Sequence, residues 1–239
     1  MTVLLGVPSK GRLMEKTFDW FAERGVSLKR TGEAREYAGA VEGVAGVKLV
    51  LLSASEIPRE LAAGRIHLGV TGSDLVREEL ADWAATVVAL APMGFGHADL
   101  IVAVPKAWVD VETLDDLDAV ASAFRAQHGF RLRIATKYHR LVRDYLRAHG
   151  VADYQLVDSQ GATEGTVKNL TAEAIADITS TGETLRANHL KILRDPPVHC
   201  SQATLFAARG AEWGVGADAM RAFCAQLGVP LPDALLHNA

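Results

Sequence analysis

The segment that decides the fold runs from Ala172 to Leu190 and reads Ala-Glu-Ala-Ile-Ala-Asp-Ile-Thr-Ser-Thr-Gly-Glu-Thr-Leu-Arg-Ala-Asn-His-Leu. A short apolar run that ends in an acid is followed by a hydroxyl-rich loop and then by residues that favour a helix. Proteins use this order of strand, small polar loop and helix start to hold a phosphate with backbone N–H groups. Because side chains alternate along a strand, Glu173 and Asp177 are expected on one face, where sugar hydroxyls or a phosphate-bound Mg2+ could meet them.

The loop supplies the groups that a phosphate needs. Thr179, Ser180, Thr181 and Thr184 carry hydroxyls, and Gly182 permits a close backbone approach or a positive φ. A second interpretation is purely structural, with Thr181 or Thr184 capping the helix. The segment also lacks the Gly-Lys-Thr ending of a Walker loop, so the loop by itself leaves both interpretations open.

The composition is that of an ordinary globular protein. The chain has 239 residues, of which 49% are hydrophobic and 23% charged, and its formal net charge is −4. This charge gives no electrostatic case for nucleic acid, and no apolar run is long enough to cross a bilayer. The N-terminus reads directly as a first strand rather than a secretion signal, and Cys200 and Cys224 are expected as free thiols. We therefore expect a cytoplasmic protein.

Apolar runs and amphipathic patterns alternate along the chain. The runs predict strands at 3–7, 47–52, 67–71, 87–90, 100–105, 132–136, 154–157, 189–192 and 203–207. The patterns predict helices at 13–24, 55–63, 74–80, 114–120, 138–149 and 217–227. This alternation predicts an α/β fold with largely parallel sheets.

Two crossover segments predict two lobes. The glycine-rich stretch 94–96 would carry the chain into a second lobe, and residues 181–188 would return it. The predicted domains are lobe I, formed by residues 1–95 and 182–239, and lobe II, formed by residues 96–181 with the phosphate loop. A cleft between two such lobes, near strand carboxyl ends, is a natural ligand site.

Further candidate residues lie at the starts of the first and third predicted helices. Lys10 and Arg12 stand beside Gly11 at a helix N-terminus, where both charge and helix dipole favour an anion. Asp74 follows a Gly-Ser turn and could accept hydrogen bonds from ligand hydroxyls or amines. The structural interpretations are a solvated basic turn for the two cations and a helix cap for Asp74.

Two more strand-to-helix junctions carry candidate side chains. Lys137 follows a buried strand and could reach a phosphate, while Tyr138 could line the cleft. Glu164 lies in a turn between Gly161 and Gly165. A surface lysine, a packed tyrosine and a solvated carboxylate are the structural alternatives. What these segments share is their position at strand carboxyl ends, where α/β proteins bind ligands.

Several common site types are absent from the sequence. The eight histidines form no HExxH-like cluster, so a structural zinc site is not expected. No GxSxG elbow occurs, and neither cysteine has a nucleophile signature, which disfavours a covalent hydrolase. Gly94 and Gly96 lack the third glycine and the following helix of a dinucleotide fingerprint.

Six blocks occur in the order found in one enzyme family. They are Pro8-Ser-Lys-Gly-Arg-Leu13, Gly69-Val-Thr-Gly-Ser-Asp-Leu75, Gly94-Phe-Gly96 with Val102-Ala-Val-Pro105, Arg133-Ile-Ala-Thr-Lys-Tyr138, Gly161-Ala-Thr-Glu164 and Asp177-Ile-Thr-Ser-Thr-Gly-Glu-Thr-Leu185. Together they resemble the short-form ATP phosphoribosyltransferases, over roughly residues 3–207. The blocks are specific as a set and not singly.

The resemblance implies a two-lobed α/β fold like that of periplasmic binding proteins, with a cleft between the lobes. It implies transfer of the phosphoribosyl group of phosphoribosyl pyrophosphate to N1 of ATP, releasing pyrophosphate, as the first step of histidine biosynthesis. In this assignment Asp177–Thr184, with Glu183 among them, bind the 5-phosphate and ribose. The side of the cleft that binds the nucleotide and pyrophosphate contains Lys10, Arg12 and Asp74.

Lys137 and Glu164 complete the substrate-binding residues that the resemblance implies. The cofactor is Mg2+, expected through the substrate phosphates, with no protein ligand assigned to it directly. The chain ends too early for the regulatory domain of the long form. The short form works with a catalytically inactive partner that resembles histidyl-tRNA synthetase. We therefore expect a homo-oligomer, such as a dimer, and a hetero-oligomer with such a subunit, without nucleic acid or membrane partners.

The implied chemistry needs no covalent nucleophile from the protein. N1 of the substrate attacks and pyrophosphate leaves, so the protein positions two anionic substrates and stabilises charge as the C1–O bond breaks. We assign Asp177 and Glu173 to catalysis, because a carboxylate near the ribose holds its hydroxyls and favours a developing oxocarbenium ion. Lys10 joins them as a cation that, with Mg2+, neutralises the leaving group.

Three departures from the family pattern stand out. The segment Ser53-Ala-Ser-Glu-Ile-Pro58 has neither arginine of the usual Arg-x-Arg-Asp-Ile-Pro, so an anion contact is missing or comes from Arg59 or Arg65. Glu173 stands where the family has aspartate before the loop. Asn188-His189-Leu190 replaces the usual Asn-Gly-Leu.

Two other functions share the expected fold. One is a non-catalytic two-lobed binding protein for a phosphorylated small molecule; the other is a phosphoribosyltransferase that acts on another base. A receptor for simple anions does not need an acid-ended strand before its phosphate loop, and the order of the other blocks argues against a different base.

Overall fold

The computed structural model describes residues 2–30, 38–159, 161–213, 216–232 and 235. The chain divides into two compact units, one formed by residues up to Gly96 together with those from Gln202 onward, and one formed by His97–Ser201. The predicted return to lobe I at residue 182 is therefore wrong. The physical reason is strand pairing, because Leu190–Ile192 and His199–Ser201 both pair with Ala98–Pro105 in the second unit.

The first unit is built on a seven-stranded sheet of the described residues, in the order β2-β3-β4-β1-β5-β13-β6. Its strands are β1 (Val3–Pro8), β2 (Ser27–Arg30), β3 (Ala38–Glu42), β4 (Val47–Leu52), β5 (Leu68–Gly72), β6 (Val87–Pro92) and β13 (Ala203–Ala208). Its helices are α1 (Gly11–Ala22), α2 (Ile57–Ala62), α3 (Ser73–Glu79), α4 (Trp83–Thr86) and α9 (Ala217–Leu227).

The second unit is built on a six-stranded sheet of the described residues, in the order β11-β7-β10-β8-β9, with β12 also paired to β7. Its strands are β7 (Ala98–Pro105), β8 (Leu132–Thr136), β9 (Tyr154–Asp158), β10 (Ala174–Thr179), β11 (Leu190–Ile192) and β12 (His199–Ser201). Its helices are α5 (Leu114–His128), α6 (His139–Ala148), α7 (Gly165–Lys168) and α8 (Glu183–Ala187).

The α/β fold is confirmed, but the sheets are mixed rather than largely parallel. β1 pairs in parallel with β4 and β5, and β8 pairs in parallel with β9 and β10. β7 and β13 run antiparallel to every strand with which they pair. β2 and β3 add an antiparallel meander on β4 that the sequence analysis missed, because these short strands carry several charged residues.

Helix α5 shows how local sequence sets an element. The Thr113 hydroxyl accepts the Asp116 N–H, and the Asp116 carboxylate accepts the Thr113 N–H, which forms a capping box. The helix continues past the predicted end to His128, because extending a helix costs less than starting one. It ends at Gly129, whose φ of +77° suits a residue without Cβ.

Each unit has its own apolar core. In the first unit Phe21 of α1 stacks on Phe223 of α9, so the predicted final helix packs over the sheet core. In the second unit Ile175 of β10 and Leu185 of α8 belong to one buried cluster, which anchors both ends of the loop between them. In the described ranges, no helix combines the length and apolarity that a bilayer crossing requires.

Candidate functional site

Three parallel strands of the second unit bring the predicted segments to one edge. β8, β9 and β10 are neighbours, with Thr136 opposite both Asp158 and Ala176 in register. Parallel strands end at the same edge of a sheet, where α/β proteins bind ligands. The residues that follow these strands, including the turn with Glu164 and the loop after Thr179, are therefore neighbours in space.

A pocket of about 330 Å3 lies at this edge. Most of its lining was predicted from the sequence: Glu164, Asp177, Thr179, Ser180, Thr181, Glu183 and Thr184. The remaining lining residues were not predicted: Ala98, Ile178 and Leu185. The structure thus gathers three acids and four hydroxyls of the sequence assignment around one cavity, of a size that suits a small ligand.

Hydrogen bonds inside the loop orient its hydroxyl groups. Thr179 Oγ1 accepts the Gly182 N–H at 2.9 Å, and Thr181 Oγ1 accepts the Glu183 N–H at 3.3 Å. A hydroxyl has one donor and two acceptor sites, so each of these threonines keeps its own O–H for an anion. Ser180 Oγ instead donates to the His97 carbonyl at 3.0 Å, which leaves only acceptor capacity toward the pocket.

Gly182 and Arg186 fix the shape of the loop. Gly182 has φ +69°, a conformation that residues with a Cβ adopt only with strain. A Cβ added there would lie 3.1 Å from Arg186 Nη1, which itself donates to the Thr181 carbonyl at 3.0 Å. Sequence reasoning missed Arg186, although an arginine one turn into the helix after a phosphate-type loop was a usable signal. Because α8 spans only Glu183–Ala187, anion binding rests on the loop and not on a long helix dipole.

The acids of the pocket are not neutralised by the protein. Among the described residues, no cation forms an ion pair with Asp177, Glu164 or Glu183. Asp177 Oδ1 accepts the Ile178 N–H at 2.8 Å, which fixes its carboxylate at the strand end. Carboxylate and hydroxyl oxygens are the ligands that Mg2+ prefers, so this lining fits a magnesium ion carried on substrate phosphates.

Glu173 does not join this site, which corrects its assignment to catalysis. It precedes β10, whereas the loop follows it, and a strand of this length at about 3.3 Å per residue separates them by most of 20 Å. Its carboxylate accepts hydrogen bonds from Arg133 at the start of β8. Burial alone would raise the pKa of Glu173, but these hydrogen bonds outweigh it and hold the pKa below its ordinary value. The residue is a structural ion-pair partner.

Lys137 lies at the same sheet edge as the loop pocket, but its side chain is hydrogen-bonded within the protein. It follows Thr136 of β8, and its Nζ donates to the Gly161 carbonyl at 2.7 Å. The lysine thereby ties β8 to the turn that carries Glu164, a turn also held by the Ser159–Thr163 hydroxyl pair at 2.9 Å. Lys137 does not line the pocket.

In the first unit, β1 and β5 also run in parallel side by side. Lys10 and Arg12 follow β1 and are exposed, while Asp74 follows β5 in the first turn of α3 and is buried. Within the described ranges, neither Lys10 nor Arg12 has a hydrogen-bond or ion-pair partner on its side chain. Their charges are therefore available to an anionic ligand at this edge, whereas Asp74 already interacts with another residue.

The segment that lacks the two arginines folds onto itself. Glu56 Oε2 accepts the Ser53 N–H at 2.9 Å, and the hydroxyls of Ser53 and Ser55 lie 3.2 Å apart. The bond from the Ser53 N–H lowers the pKa of Glu56. Arg59 is paired with Glu79 and Arg65 with Glu60, so both replacement candidates are held by carboxylates.

The fold and the loop pocket define a class: an α/β protein of two units with a phosphate-type loop at a strand carboxyl end. Comparison with known protein families identifies the family as well. Residues 53–227 match the family model described as "HisG: ATP phosphoribosyltransferase". The chain belongs to the ATP phosphoribosyltransferase family and is a transferase, which confirms the resemblance seen in its sequence.

Curated relatives carry the same name. A Cereibacter sphaeroides ATP phosphoribosyltransferase is 75% identical over 235 residues, which cover 98% of this chain and 100% of that protein. A Bradyrhizobium protein of the same name is 52% identical over 214 residues. That alignment covers 90% of this chain and 66% of the longer relative, so the chain spans slightly less than two thirds of that protein.

Solved structures show the same fold at low sequence identity. The ATP phosphoribosyl transferase (HisG:HisZ) complex from Thermotoga maritima superposes with a TM-score of 0.72 at 19% identity, covering 99% of this chain and 100% of that one. The alkanesulfonate-binding protein SsuA from Xanthomonas axonopodis has a TM-score of 0.53 at 13% identity, covering 95% of this chain and 71% of that one. The predicted likeness to periplasmic binding proteins is thereby confirmed for the fold, while family membership does not favour a non-catalytic receptor.

Proposed function

We propose that this transferase carries the phosphoribosyl group of phosphoribosyl pyrophosphate to N1 of ATP, releasing pyrophosphate, in the first step of histidine biosynthesis. The observation that carries the assignment is the loop pocket, in which hydroxyls and unpaired carboxylates meet within a chain of this family. Hydroxyls bind a phosphate and carboxylates bind sugar hydroxyls, so a single cavity offers both chemistries that a phosphorylated ribose requires.

The donor sugar phosphate binds in the second unit. The O–H groups of Thr179 and Thr181 donate to the 5-phosphate, because backbone N–H groups already occupy one acceptor site on each oxygen. Thr184 adds a third hydroxyl on the first turn of α8. Each hydrogen bond to a charged phosphate is worth about 1.5–3 kcal/mol. Asp177 accepts hydrogen bonds from ribose hydroxyls and stabilises positive charge that develops at C1 as the bond to pyrophosphate breaks.

The nucleotide side is assigned to the first unit. Lys10 and Arg12 neutralise phosphate oxygens with charges that no described carboxylate engages. An arginine fork and a lysine point charge are the side chains that proteins use for phosphates. The protein supplies no covalent nucleophile, since N1 of ATP attacks the sugar directly, and catalysis comes from positioning and charge stabilisation.

Mg2+ is the proposed cofactor. No group of three or more potential ligand side chains occurs among the described residues, which suits an ion held mainly by substrate phosphates. Carboxylates that line the loop pocket, such as those of Asp177 or Glu164, would contribute oxygen ligands beside these phosphates. When bound, the ion supplies charge neutralisation to the leaving pyrophosphate.

Assembly with a regulatory subunit is also proposed. The Thermotoga maritima neighbour is a HisG:HisZ complex, and the Cereibacter relative matches this chain over its whole length. We propose that this chain likewise belongs to the short form, forms a homodimer and joins a histidyl-tRNA-synthetase-like subunit. The proposed compartment is the cytoplasm, in keeping with two free cysteines in the described chain.

The test measures pyrophosphate release by the purified chain, with and without the candidate regulatory subunit. Release should require ATP, phosphoribosyl pyrophosphate and Mg2+ together, and the product should carry the ribose on N1 of adenine. Replacing ATP by other purine nucleotides tests the competing assignment to another base. Binding of a phosphorylated sugar without turnover, in the presence of ATP and the partner, would overturn the proposal.

A further inference from the structure

A second pocket lies in the second unit, apart from the loop. It has a volume of about 660 Å3, twice that of the loop pocket, and lies between α6, the turn that follows it and β9. Its charged lining residues are all arginines: Arg131, Arg143 and Arg147. Tyr154 and Gln155 of β9 add a ring and an amide. No residue is shared with the loop pocket, and no acid lines this one.

The three guanidinium groups differ from the other arginines of the unit. Arg125, Arg133 and Arg194 form ion pairs with carboxylates, Arg186 donates to a carbonyl, and Arg140 interacts with another residue. By contrast, within the described ranges, no hydrogen bond or ion pair engages the side chain of Arg131, Arg143 or Arg147. In the described part of the second unit, therefore, the arginines that line this cavity have no hydrogen-bond or ion-pair partner, whereas the arginines outside it are engaged.

The surroundings keep the charge of this pocket positive. Asp153 interacts electrostatically with Arg131, but its ion pair is with Arg125. Asp144 of α6 acts on Tyr154 but does not line the cavity. Arg143 and Arg147 lie one turn apart on α6 and Arg131 immediately precedes β8, so three positive charges without an ion pair among the described residues line one cavity of a chain with net charge −4. Like charges held this close cost free energy, which a bound anion would remove.

An alternative explanation is protection of the sheet edge. In the described sheet β9 is a terminal strand, and charged side chains on such strands prevent pairing with other chains. Edge protection, however, needs only scattered exposed charges. It does not need a concave cavity of ligand size, lined by guanidinium groups with a tyrosine ring in its wall.

We propose that this pocket is a second anion-binding site, which takes a small molecule with two or more phosphate groups. Guanidinium forks match phosphate oxygens in bidentate pairs, and three of them balance the charge of a di- or triphosphate. The Tyr154 ring offers a stacking face for a base if the ligand is a nucleotide. The site is independent of the proposed catalytic function, since it shares no residue with the loop pocket and includes neither Lys10 nor Arg12.

The test is calorimetric titration of the full chain with inorganic tripolyphosphate at fixed ionic strength and without Mg2+. The double variant Arg143→Gln/Arg147→Gln should bind at least tenfold more weakly at one site. The matched control Arg194→Gln/Arg221→Gln loses the same charge outside both pockets and should change affinity by less than twofold. The loop variant Thr181→Val should leave this binding intact. Pyrophosphate release by the Arg143→Gln/Arg147→Gln chain should stay within twofold of the wild type, which separates failure of this proposal from failure of the catalytic one.

Hydrogen exchange locates the site in the unmodified protein, so the test does not depend on a variant that folds. Tripolyphosphate should slow amide exchange over residues 150–156. The conservative variant Arg143→Lys/Arg147→Lys, which keeps charge and loses the forks, should bind with intermediate affinity. ATP as a second probe distinguishes a nucleotide ligand, bound more tightly than tripolyphosphate, from a simple polyphosphate. Equal affinity for the glutamine variant and its control, or no protection over 150–156, would overturn the proposal.

Discussion

The Glu173 carboxylate is clamped by Arg133, forty residues away in sequence. It accepts the Arg133 backbone N–H at 2.8 Å, Nε at 3.1 Å and Nη2 at 2.5 Å, while the Glu173 N–H donates to the Arg133 carbonyl at 2.9 Å. The Arg133 side chain is only 30% exposed and the Glu173 side chain only 15% exposed. An acid expected to act on substrate instead joins the starts of β8 and β10.

This pair predicts a stability effect without a catalytic one. Glu173→Gln should lower the free energy of unfolding at neutral pH by about 1–3 kcal/mol, the cost of losing charged hydrogen bonds, and leave kcat within about twofold. Because the folded-state pKa lies below the ordinary 4.5, the stabilisation is present above that value and is lost as the pH falls through the folded-state pKa. Urea unfolding of both proteins from pH 7 to pH 3 should show their difference shrinking.

A matched control for this prediction is Glu112→Gln. Glu112 pairs with Arg194, but these side chains are 40% and 73% exposed, so its loss should cost less than about 1 kcal/mol. A large loss of kcat in Glu173→Gln with unchanged stability would restore the catalytic assignment.

Asp177 should matter for turnover and not for folding. Asp177→Asn keeps the size of the side chain and removes its charge, so kcat should fall by about a hundredfold or more if the carboxylate stabilises the transition state. The neighbouring acid Asp99, opposite Thr179 in β7 and outside the pocket, provides the control Asp99→Asn, which should retain activity. Steady-state kinetics with urea unfolding of each variant gives the comparison, and normal turnover of Asp177→Asn would contradict the assignment.

Gly182 should be needed for donor binding. Gly182→Ala introduces a Cβ at φ +69° and 3.1 Å from Arg186 Nη1, so the loop must move and KM for phosphoribosyl pyrophosphate should rise about tenfold or more. Gly129→Ala is the matched control, with φ +77° and no atom within 4 Å. Both substitutions carry a backbone cost of about 1–2 kcal/mol, and only the first should alter KM. Equal KM values in the two variants would show that the loop does not bind the donor.

Lys10 should contribute to the binding of ATP. Lys10→Gln removes an unpaired positive charge after β1, so KM for ATP should rise several-fold, with the rise reduced at high salt because screening weakens the contact. Lys16→Gln, which changes an exposed lysine on α1, should leave KM unchanged. Initial rates at saturating donor over two salt concentrations measure the effect, and parallel behaviour of the two variants would argue against a role for Lys10.

The two cysteines should differ in reactivity. Burial raises the pKa of the Cys224 thiol to about 11, whereas Cys200 is exposed on β12, with its pKa raised by Asp99. A disulfide reagent at pH 8 should therefore modify one thiol rapidly and the other only on unfolding, because the thiolate is the reactive form. Cys200→Ala should remove the rapid phase. Two rapid phases of equal size would show that α9 opens readily in the native protein.

Much of the candidate site could be predicted from local sequence. The run before Thr179 predicts a short strand, and the hydroxyl-rich loop with Gly182 predicts a turn at its end, as the structure has them. Strand-to-helix junctions follow from periodicity and turn chemistry, which involve residues a few positions apart. For the same reason β4, β8 and α9 begin and end at the predicted residues.

What local sequence could not supply was the partner of each side chain. The carboxylates of Glu173 and Asp177 differ little by sequence, yet one meets Arg133 and the other lines the pocket, because β8 lies beside β10. The residue at which the chain returns to the first unit also depends on strand pairing. Because β11 and β12 pair with β7, the second unit extends to Ser201.

Sequence by itself thus determined the α/β class, the phosphate-type loop and the family, all of which depend on short-range patterns. Only the tertiary structure decided which acids face the pocket, which arginines lack partners and where the second unit ends. The physical reason is that hydrogen bonds and ion pairs form between strands that are adjacent in space and distant along the chain, so no short window of sequence contains both partners.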